Sequence, residues 1–594
     1  MNRIIGSFSR YVSSPRINFG LLSRDMRCIN ARYPHVTVPS GCRFASTQNL
    51  HDFDLSKDND GNDSSTDVFF KDLVDLDSSL LQSIDMLGLS KMTPIQAKTF
   101  EPIISGKDVL ARAQTGTGKT FAFLVPTVQL LLKMESVSKI QVLILSPTRE
   151  LATQIDSQIE KLLSARKKDH RITHQTIYGG VSKQKDIDKI VQHLPNILVA
   201  TPGRLVDHLK NTVIKGKKFK DLISKVDVLI LDEADRYLEM GEDIPIILSS
   251  MQRKRQNLLF SATVPDAVLD FLNNFMKKDY ENIDCISSDG SNETSKIVQQ
   301  SHIILKNNFT TGVVETIRHF MEDKSSPSKI IVFFPTNNMV TFFAKLFNFG
   351  LGSSGHYVLE MHSKKTQSYR NAVSQRFRDM PRGAMFTSDV SARGVDYPGV
   401  THVIQVCLPS SQESYVHRIG RTGRAGTTGE GLLILTKTEA AFLKLLKDRG
   451  IKIPINTELQ NMVDSNDPTS KVRQELFPVM ESITSGRNEA LVKAAEDTYR
   501  SILGYYNGKL KTVGSPGAPK LVEFCNSLSS QIGLSKPPKL SVKLAQKMGL
   551  LKVPGIELGD GDDDDDEGTN NQKRKTNNNR EKPFGLNEKK GRYR

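Results

Sequence analysis

The sequence predicts an α/β protein of two tandem parallel-sheet domains, followed by a helical C-terminal extension and flanked by disordered termini. Two observations carry this prediction. Apolar runs without polar alternation recur along the chain: "QVLILSP", "NILVATP", "VDVLILDEAD" and "QNLLFSAT", then "SKIIVFFPT", "GAMFTSDV", "THVIQVCLP" and "EGLLILTK". Such runs suit strands covered on both faces, hence parallel sheets with helices on each side. The polar stretch "SSDGSNETSK" (287–296) separates the two sets. The 594 residues also exceed the ~250–300 that one core usually supports.

Residues 1–47 carry seven arginines, no lysine and one acid, Asp25. Arg-rich, Ser-rich and acid-poor is the composition of a mitochondrial transit peptide, and "RFAST" (43–47) offers a processing site. A disordered basic arm that binds nucleic acid is the alternative. Residues 48–67 read as a polar linker, 68–286 as the first domain, 287–298 as an interdomain linker and 299–450 as the second domain. Residues 451–558 hold apolar residues at helical spacing, as in "EALVKAAEDTYRSILGYY". Residues 559–594 are an acidic and then basic tail, whose solvated, Asn- and Lys-rich end suits weak binding to nucleic acid.

The formal net charge of +15 suggests a polyanionic partner. No apolar run reaches the ~18–20 residues of a membrane span. The five cysteines (Cys28, Cys42, Cys285, Cys407, Cys525) show no zinc-ligand spacing and no disulfide framework.

"ARAQTGTGKT" (111–120) follows an apolar run and opens a helix-like stretch, the strand–loop–helix context of a P-loop. Thr115, Gly116, Thr117 and Gly118 let backbone N–H groups turn inward around phosphate oxygens. Lys119 would reach the β- and γ-phosphates, and the Thr120 hydroxyl would bind Mg²⁺. A second magnesium anchor belongs at a neighbouring strand end, where "LILDEAD" supplies Asp232. Glu233 is next along and could polarise an attacking water. ATP and Mg²⁺ are the implied ligands, and hydrolysis the implied chemistry.

Together with "GLSKMTPIQ" (88–96), "PTRELA" (147–152), "GG" (179–180), "TPGR" (201–204), "SAT" (261–263), "IIVFFPT" (330–336), "TSDVSARGVD" (387–396) and "HRIGRTGRAG" (417–426), these motifs resemble the DEAD-box RNA helicases of superfamily two. The resemblance covers roughly 69–440 and implies two RecA-like domains, RNA-stimulated ATP hydrolysis and local unwinding of RNA duplexes. It implies Gln96 as the adenine contact, with Phe70, or its neighbour Phe69, stacking on the base. Arg421 and Arg424 would meet the γ-phosphate, where such an arginine is worth ~10³–10⁵ in rate. Asp396 would contact the ribose. Asp235, Ser261, Thr263 and His417 would couple the nucleotide to RNA. Arg149, Gly180, Thr201, Arg204 and Thr387 would bind the RNA backbone, giving register without base reading. Asp389 and Arg393 keep their motif places, although Thr387-Ser388 replaces the common Ala-Thr.

The leader, the extension and the basic tail resemble the fungal mitochondrial members that assist intron splicing. That implies a monomeric helicase of the mitochondrial matrix, without membrane attachment, acting on structured RNA such as group I and group II introns. An ATP-gated RNA clamp in mitochondrial ribosome assembly uses the same motifs and stays open as a reading. A DNA translocase is disfavoured by the Gln96 motif and by the DEAD residues themselves.

Overall fold

The computed structural model describes residues 67–559 apart from 115, 135–138, 167–171, 265–267, 271–274, 287–297, 324–327, 352–356, 392–394, 425–426, 466, 510–511 and 513–516. The leader, nearly all of both linkers, the tail after 559, Thr115 and Arg393 therefore lie outside the described residues.

The apolar runs form strands that sort by parity. In the first lobe these are β1 (Val109–Arg112), β2 (Val142–Leu145), β3 (His174–Ile177), β4 (Ile197–Ala200), β5 (Val228–Asp232), β6 (Gln256–Ser261) and β7 (Glu281–Asp284). They make one parallel sheet in the order β3-β4-β2-β5-β6-β1-β7. Val142, Ile144, Ile197, Val199, Val228 and Ile230 enter the apolar core on one face. Leu143, Leu145, Leu198, Ala200, Leu229 and Leu231 enter the other. Successive side chains of a strand point to opposite faces. Apolar residues at both parities therefore demand helices on both sides.

The second lobe repeats the architecture with β8 (Val298–Leu305), β9 (Lys329–Phe333), β10 (Val358–Met361), β11 (Gly383–Thr387), β12 (His402–Val406) and β13 (Gly429–Thr436). Their order is β8-β13-β12-β9-β11-β10, again all parallel. The helices used below are α1 (Lys119–Lys133), α2 (Arg149–Leu162), α3 (Pro202–Asn211), α4 (Phe309–Glu322), α5 (Asn337–Lys345) and α6 (Gln412–Ile419), followed in the extension by α7 (Thr457–Asp464), α8 (Lys471–Thr484), α9 (Glu489–Asn507) and α10 (Ala518–Gln531).

The extension shares the second lobe's hydrophobic core, which runs unbroken from Val298 to Leu550. Helix α9 packs on α5, and α8 packs on α4. Gln460 of α7 closes the outer edge of the sheet: its side-chain oxygen accepts from Ile304 N at 2.8 Å and its amide donates to Ile304 O at 3.0 Å. An edge strand covered this way cannot template pairing with another chain. Arg473 of α8 grips Glu315 of α4 through Nε at 2.7 Å and Nη2 at 3.0 Å. Among the described residues no helix is long and apolar enough to cross a membrane.

An ion pair between a buried arginine and a half-buried aspartate ties the turn after β11 to α6. Arg418 Nε donates to Asp389 Oδ1 at 2.7 Å, and the guanidinium lies 5.3 Å from the Phe333 ring centroid. Burial alone would raise the Asp389 carboxyl, but the charge and hydrogen bond of Arg418 outweigh it and bring it from 3.8 to about 2. The folded-state value is depressed, so this contribution to stability is complete above the unfolded value and is lost as pH falls through about 2.

Two outcomes test this packing. Leu503, fully buried in α9, contributes to the shared core, so Leu503→Ala costs about 2–5 kcal/mol in urea denaturation. The extension and second lobe then unfold in one transition at a lower midpoint. Asp389→Asn removes the titrating group, so its acid-unfolding profile is flatter than wild type between about pH 4 and 2.

Candidate nucleotide and RNA site

Three neighbouring strands, β5, β6 and β1, end side by side, at Asp232, Ser261 and Arg112. Ligands of parallel sheets bind beyond these carboxyl ends. After β1 the chain turns through Gly116 and Gly118, both left-handed at φ +86° and +87°. Lys119 starts α1 immediately afterwards, so its helix N-terminus faces the loop. The Lys119 Nζ donates to Ala113 O at 2.9 Å, and Thr117 Oγ1 donates to Gln114 O at 2.9 Å. Gln96 is buried, accepts from Thr93 N at 2.9 Å and donates to Gly118 O at 3.2 Å. A Cβ on Gly118 would come within 2.5 Å of Gln96 Nε2, so only glycine fits there. Thr120 is half-buried as the second residue of α1.

Asp232 ends β5, and its Oδ1 accepts from Glu233 N at 3.0 Å. Glu233 stands at φ +54°, a left-handed conformation uncommon for a side-chain-bearing residue and typical of functional turns. Burial, then the Glu233 charge, raises the Asp232 carboxyl to about 7 against the pull of Lys119. The strand end thus carries more negative charge than the protein alone stabilises.

The residues expected to couple nucleotide and RNA meet across the two lobes. Ser261 Oγ donates to Asp235 Oδ1 at 2.6 Å. His417 of α6 lies 3.3 Å from Asp235 Oδ2 through Nε2 and 3.6 Å from Glu233 Oε2 through Nδ1. Thr263 N lies 3.4 Å from Ser261 Oγ, while the Thr263 hydroxyl is buried with no hydrogen-bond partner among the described residues. Arg421 is buried, with Nη1 donating to Val395 O at 2.6 Å and Nε to His417 O at 3.2 Å. Burial and then the adjacent Arg424 charge lower its affinity for its proton. Arg424 reaches the P-loop: a Cβ on Gly116 would sit 3.4 Å from Arg424 Cγ. Its Nη1 pairs with Asp396 Oδ1 at 2.7 Å.

Sequence reasoning missed four residues that hold the lobes together. Glu150 at the start of α2 pairs with Arg370 of the second lobe, and Gln367 Nε2 reaches the same carboxylate at 3.4 Å. Gln154 Oε1 accepts from Asp396 N at 3.0 Å. Only Glu150 and Arg370 offered a charge as a signal, and sequence cannot pair charges 220 positions apart (370 − 150).

The expected RNA contacts divide into two groups. Arg149 opens α2 and packs over the glycine pair, so closely that a Cβ on Gly180 would lie 2.3 Å from its Nη1. Burial and the Arg370 charge lower its proton affinity. Thr201 stands at the N-cap position of α3 without a side-chain capping bond, and its backbone N donates to Ile177 O at 3.1 Å, just before the same turn. Three other side chains sit differently from expectation. The Arg204 guanidinium turns inward to Asp186 at 3.1 Å, Tyr178 O at 3.0 Å and Val181 O, holding the glycine turn rather than reaching out. Thr387 is fully buried, with its hydroxyl 3.0 Å from Ser388 O and from Ser391 Oγ, because β11 ends inside the lobe. Phe70 is 1% exposed within the first-lobe core, while Phe69 pairs with Lys91 and stays half-buried, so Phe69 is the ring with an open edge.

Comparison with known proteins agrees with this arrangement. Residues 93–271 match the DEAD/DEAH box helicase model, and 312–426 match the helicase conserved C-terminal domain. DEAD-box ATP-dependent RNA helicase 26 of Oryza sativa is 39% identical over 486 residues, spanning 80% of this chain and 84% of that protein. The mitochondrial ATP-dependent RNA helicase mss116 of Aspergillus oryzae is 36% identical over 501 residues, spanning 82% and 75%. A structure of Mss116p bound to ssRNA and AMP-PNP aligns with a TM-score of 0.71 at 29% identity, over 84% of this chain and 98% of that one. With the P-loop, the DEAD strand end and the arginine-bearing α6 assembled across two RecA-like lobes, the chain belongs to the DEAD-box family of ATP-dependent RNA helicases, enzymes that hydrolyse ATP.

Proposed function

We propose that this helicase is an RNA chaperone of the mitochondrial matrix, working as a monomer on structured RNAs such as group I and group II introns. The observation that carries this reading is the reach of the Mss116p likeness. It covers 84% of the chain, well beyond residue 426 where the family models stop, and so takes in much of the helical extension. The lysine-free, Arg-rich leader adds support for a mitochondrial address.

In this reading Gln96 holds the adenine, and the 115–118 backbone cradles the phosphates with Lys119. Thr120 and Asp232 would hold Mg²⁺, which suits them: a hydroxyl and a carboxylate are oxygen donors, and Asp232 is buried beside a second acid. Bound there, the ion would neutralise phosphate charge. Glu233 orients and polarises the attacking water. Arg421 and Arg424 bring positive charge to the γ-phosphoryl group, whose transition state spreads charge over three oxygens. Both arginines belong to the second lobe, so hydrolysis requires closure. Arg149, Gly180 and the α3 N-terminus beside Thr201 bind RNA phosphates, and closure over them bends one strand and opens a short duplex. Release of phosphate and ADP reopens the lobes.

Lys119→Ala reduces RNA-stimulated ATP turnover to the unstimulated background; wild-type turnover in that variant would overturn the assignment. Glu233→Gln binds ATP and RNA but stalls before hydrolysis, so RNA dissociates at least about tenfold more slowly in a chase experiment. On short tailed RNA duplexes, ATP-dependent strand displacement supports the chaperone reading. ATP-dependent RNA retention without displacement points instead to a clamp.

A further inference from the structure

The loop 407–411 joins β12 to α6, and α6 leads directly to His417, Arg421 and Arg424. It starts from Cys407 at φ +63°, a left-handed conformation that a cysteine keeps only where its surroundings enforce it. The surroundings here come from the extension. Tyr505 of α9 donates its hydroxyl to Leu408 O at 2.8 Å. Lys509, just past α9, donates Nζ to Ser410 O while lying 5.4 Å from the Tyr505 ring centroid. Tyr506 donates to Glu439, a fully buried carboxylate whose Oε1 also accepts from Leu408 N at 2.8 Å. Two of these residues grip the loop directly and the third grips the carboxyl that holds Leu408, so the end of α9 and the residue just past it fix a short loop. On its far side, Ser411 caps α6, Ser414 Oγ reaches Asp389 at 3.1 Å, and Arg418 reaches the same carboxylate.

From this geometry we infer that Tyr505, Tyr506 and Lys509 are positioning residues for ATP hydrolysis. They hold α6 at the angle that delivers Arg421 and Arg424 to the nucleotide, so the extension is part of the hydrolytic apparatus. The second lobe's own core supports the inner side of α6 through Tyr415 and Ile419. The loop's outer side is held by the extension. A misplacement of about 1 Å at an arginine that acts only on the transition state lowers kcat and leaves ground-state binding largely intact.

This inference rests on the proposed roles of Arg421 and Arg424, and the test separates the two. In the full-length chain with saturating RNA, Tyr505→Phe combined with Lys509→Met removes two hydrogen bonds to the loop and little packing. The expected result is a kcat lowered about three- to tenfold, with KM for ATP and melting temperature unchanged. Lys509→Arg retains a cationic donor and restores kcat in the presence of Tyr505. An unchanged kcat in the double variant overturns the inference, as does a loss matched by a fall in melting temperature and active fraction. Arg424→Ala is measured alongside. Wild-type turnover there refutes the arginine assignment itself; loss there with an unaffected double variant refutes only the role of the extension.

Discussion

Asp232, Glu233 and Asp235 stand at 3%, 4% and 7% exposure, three carboxylates buried within four residues at the end of one strand. A buried charge is tolerated only with an opposite partner and hydrogen bonds. The first lobe supplies one cation, Lys119, which pulls on Asp232 without bringing it back to an ordinary acidity. The second lobe brings the Arg421 guanidinium, whose opposing charges include Glu233, and places the His417 ring within 3.6 Å of both other acids. The acidic cluster is thus met by groups from both lobes.

That constraint explains several local features. Glu233 takes a left-handed backbone so that consecutive acids diverge, one toward the P-loop and one toward His417. Ser261 ends the strand between β5 and β1, so its hydroxyl reaches Asp235 in the turn just beyond β5. Glycines at 116 and 118 leave room for Arg424 and Gln96, which approach the loop from opposite lobes' elements. The Glu150–Arg370 pair and the Gln154 bond to Asp396 N seal the far side of the same cleft.

Much of this was legible in the sequence because strand ends and phosphate loops are local. Apolar runs at both parities specified buried parallel strands, and "TGTGKT" and "LILDEAD" placed chemistry at their ends. What escaped was non-local or a matter of side-chain direction. Nothing in "TPGR" says that Arg204 bends back to Asp186, eighteen residues earlier (204 − 186), since any surface carboxylate could have claimed it. Thr387 reads as a motif hydroxyl, yet β11 carries it to full burial before the chain turns. Between two adjacent phenylalanines, composition cannot choose, whereas the bridge at Phe69 turns Phe70 into the core.

The extension is the part whose role sequence texture described least. Helical spacing announces helices but not what they hold. Helix α9 packs on α5 and shares the second lobe's core, so it cannot be displaced without exposing that core. A helix anchored so firmly can serve as a fixed point. Tyr505 and Lys509 reach from that fixed point to a strained loop, Tyr506 reaches the Glu439 carboxyl that holds the same loop, and the loop continues into α6, which carries His417 and ends just before Arg421 and Arg424. In a chain without this extension, the 407–411 loop would need another source of support to keep Arg424 against Gly116. In the proposed reading, Arg421 and Arg424 and the extension are thus two ends of one connection, with the Asp389–Arg418 pair as its joint.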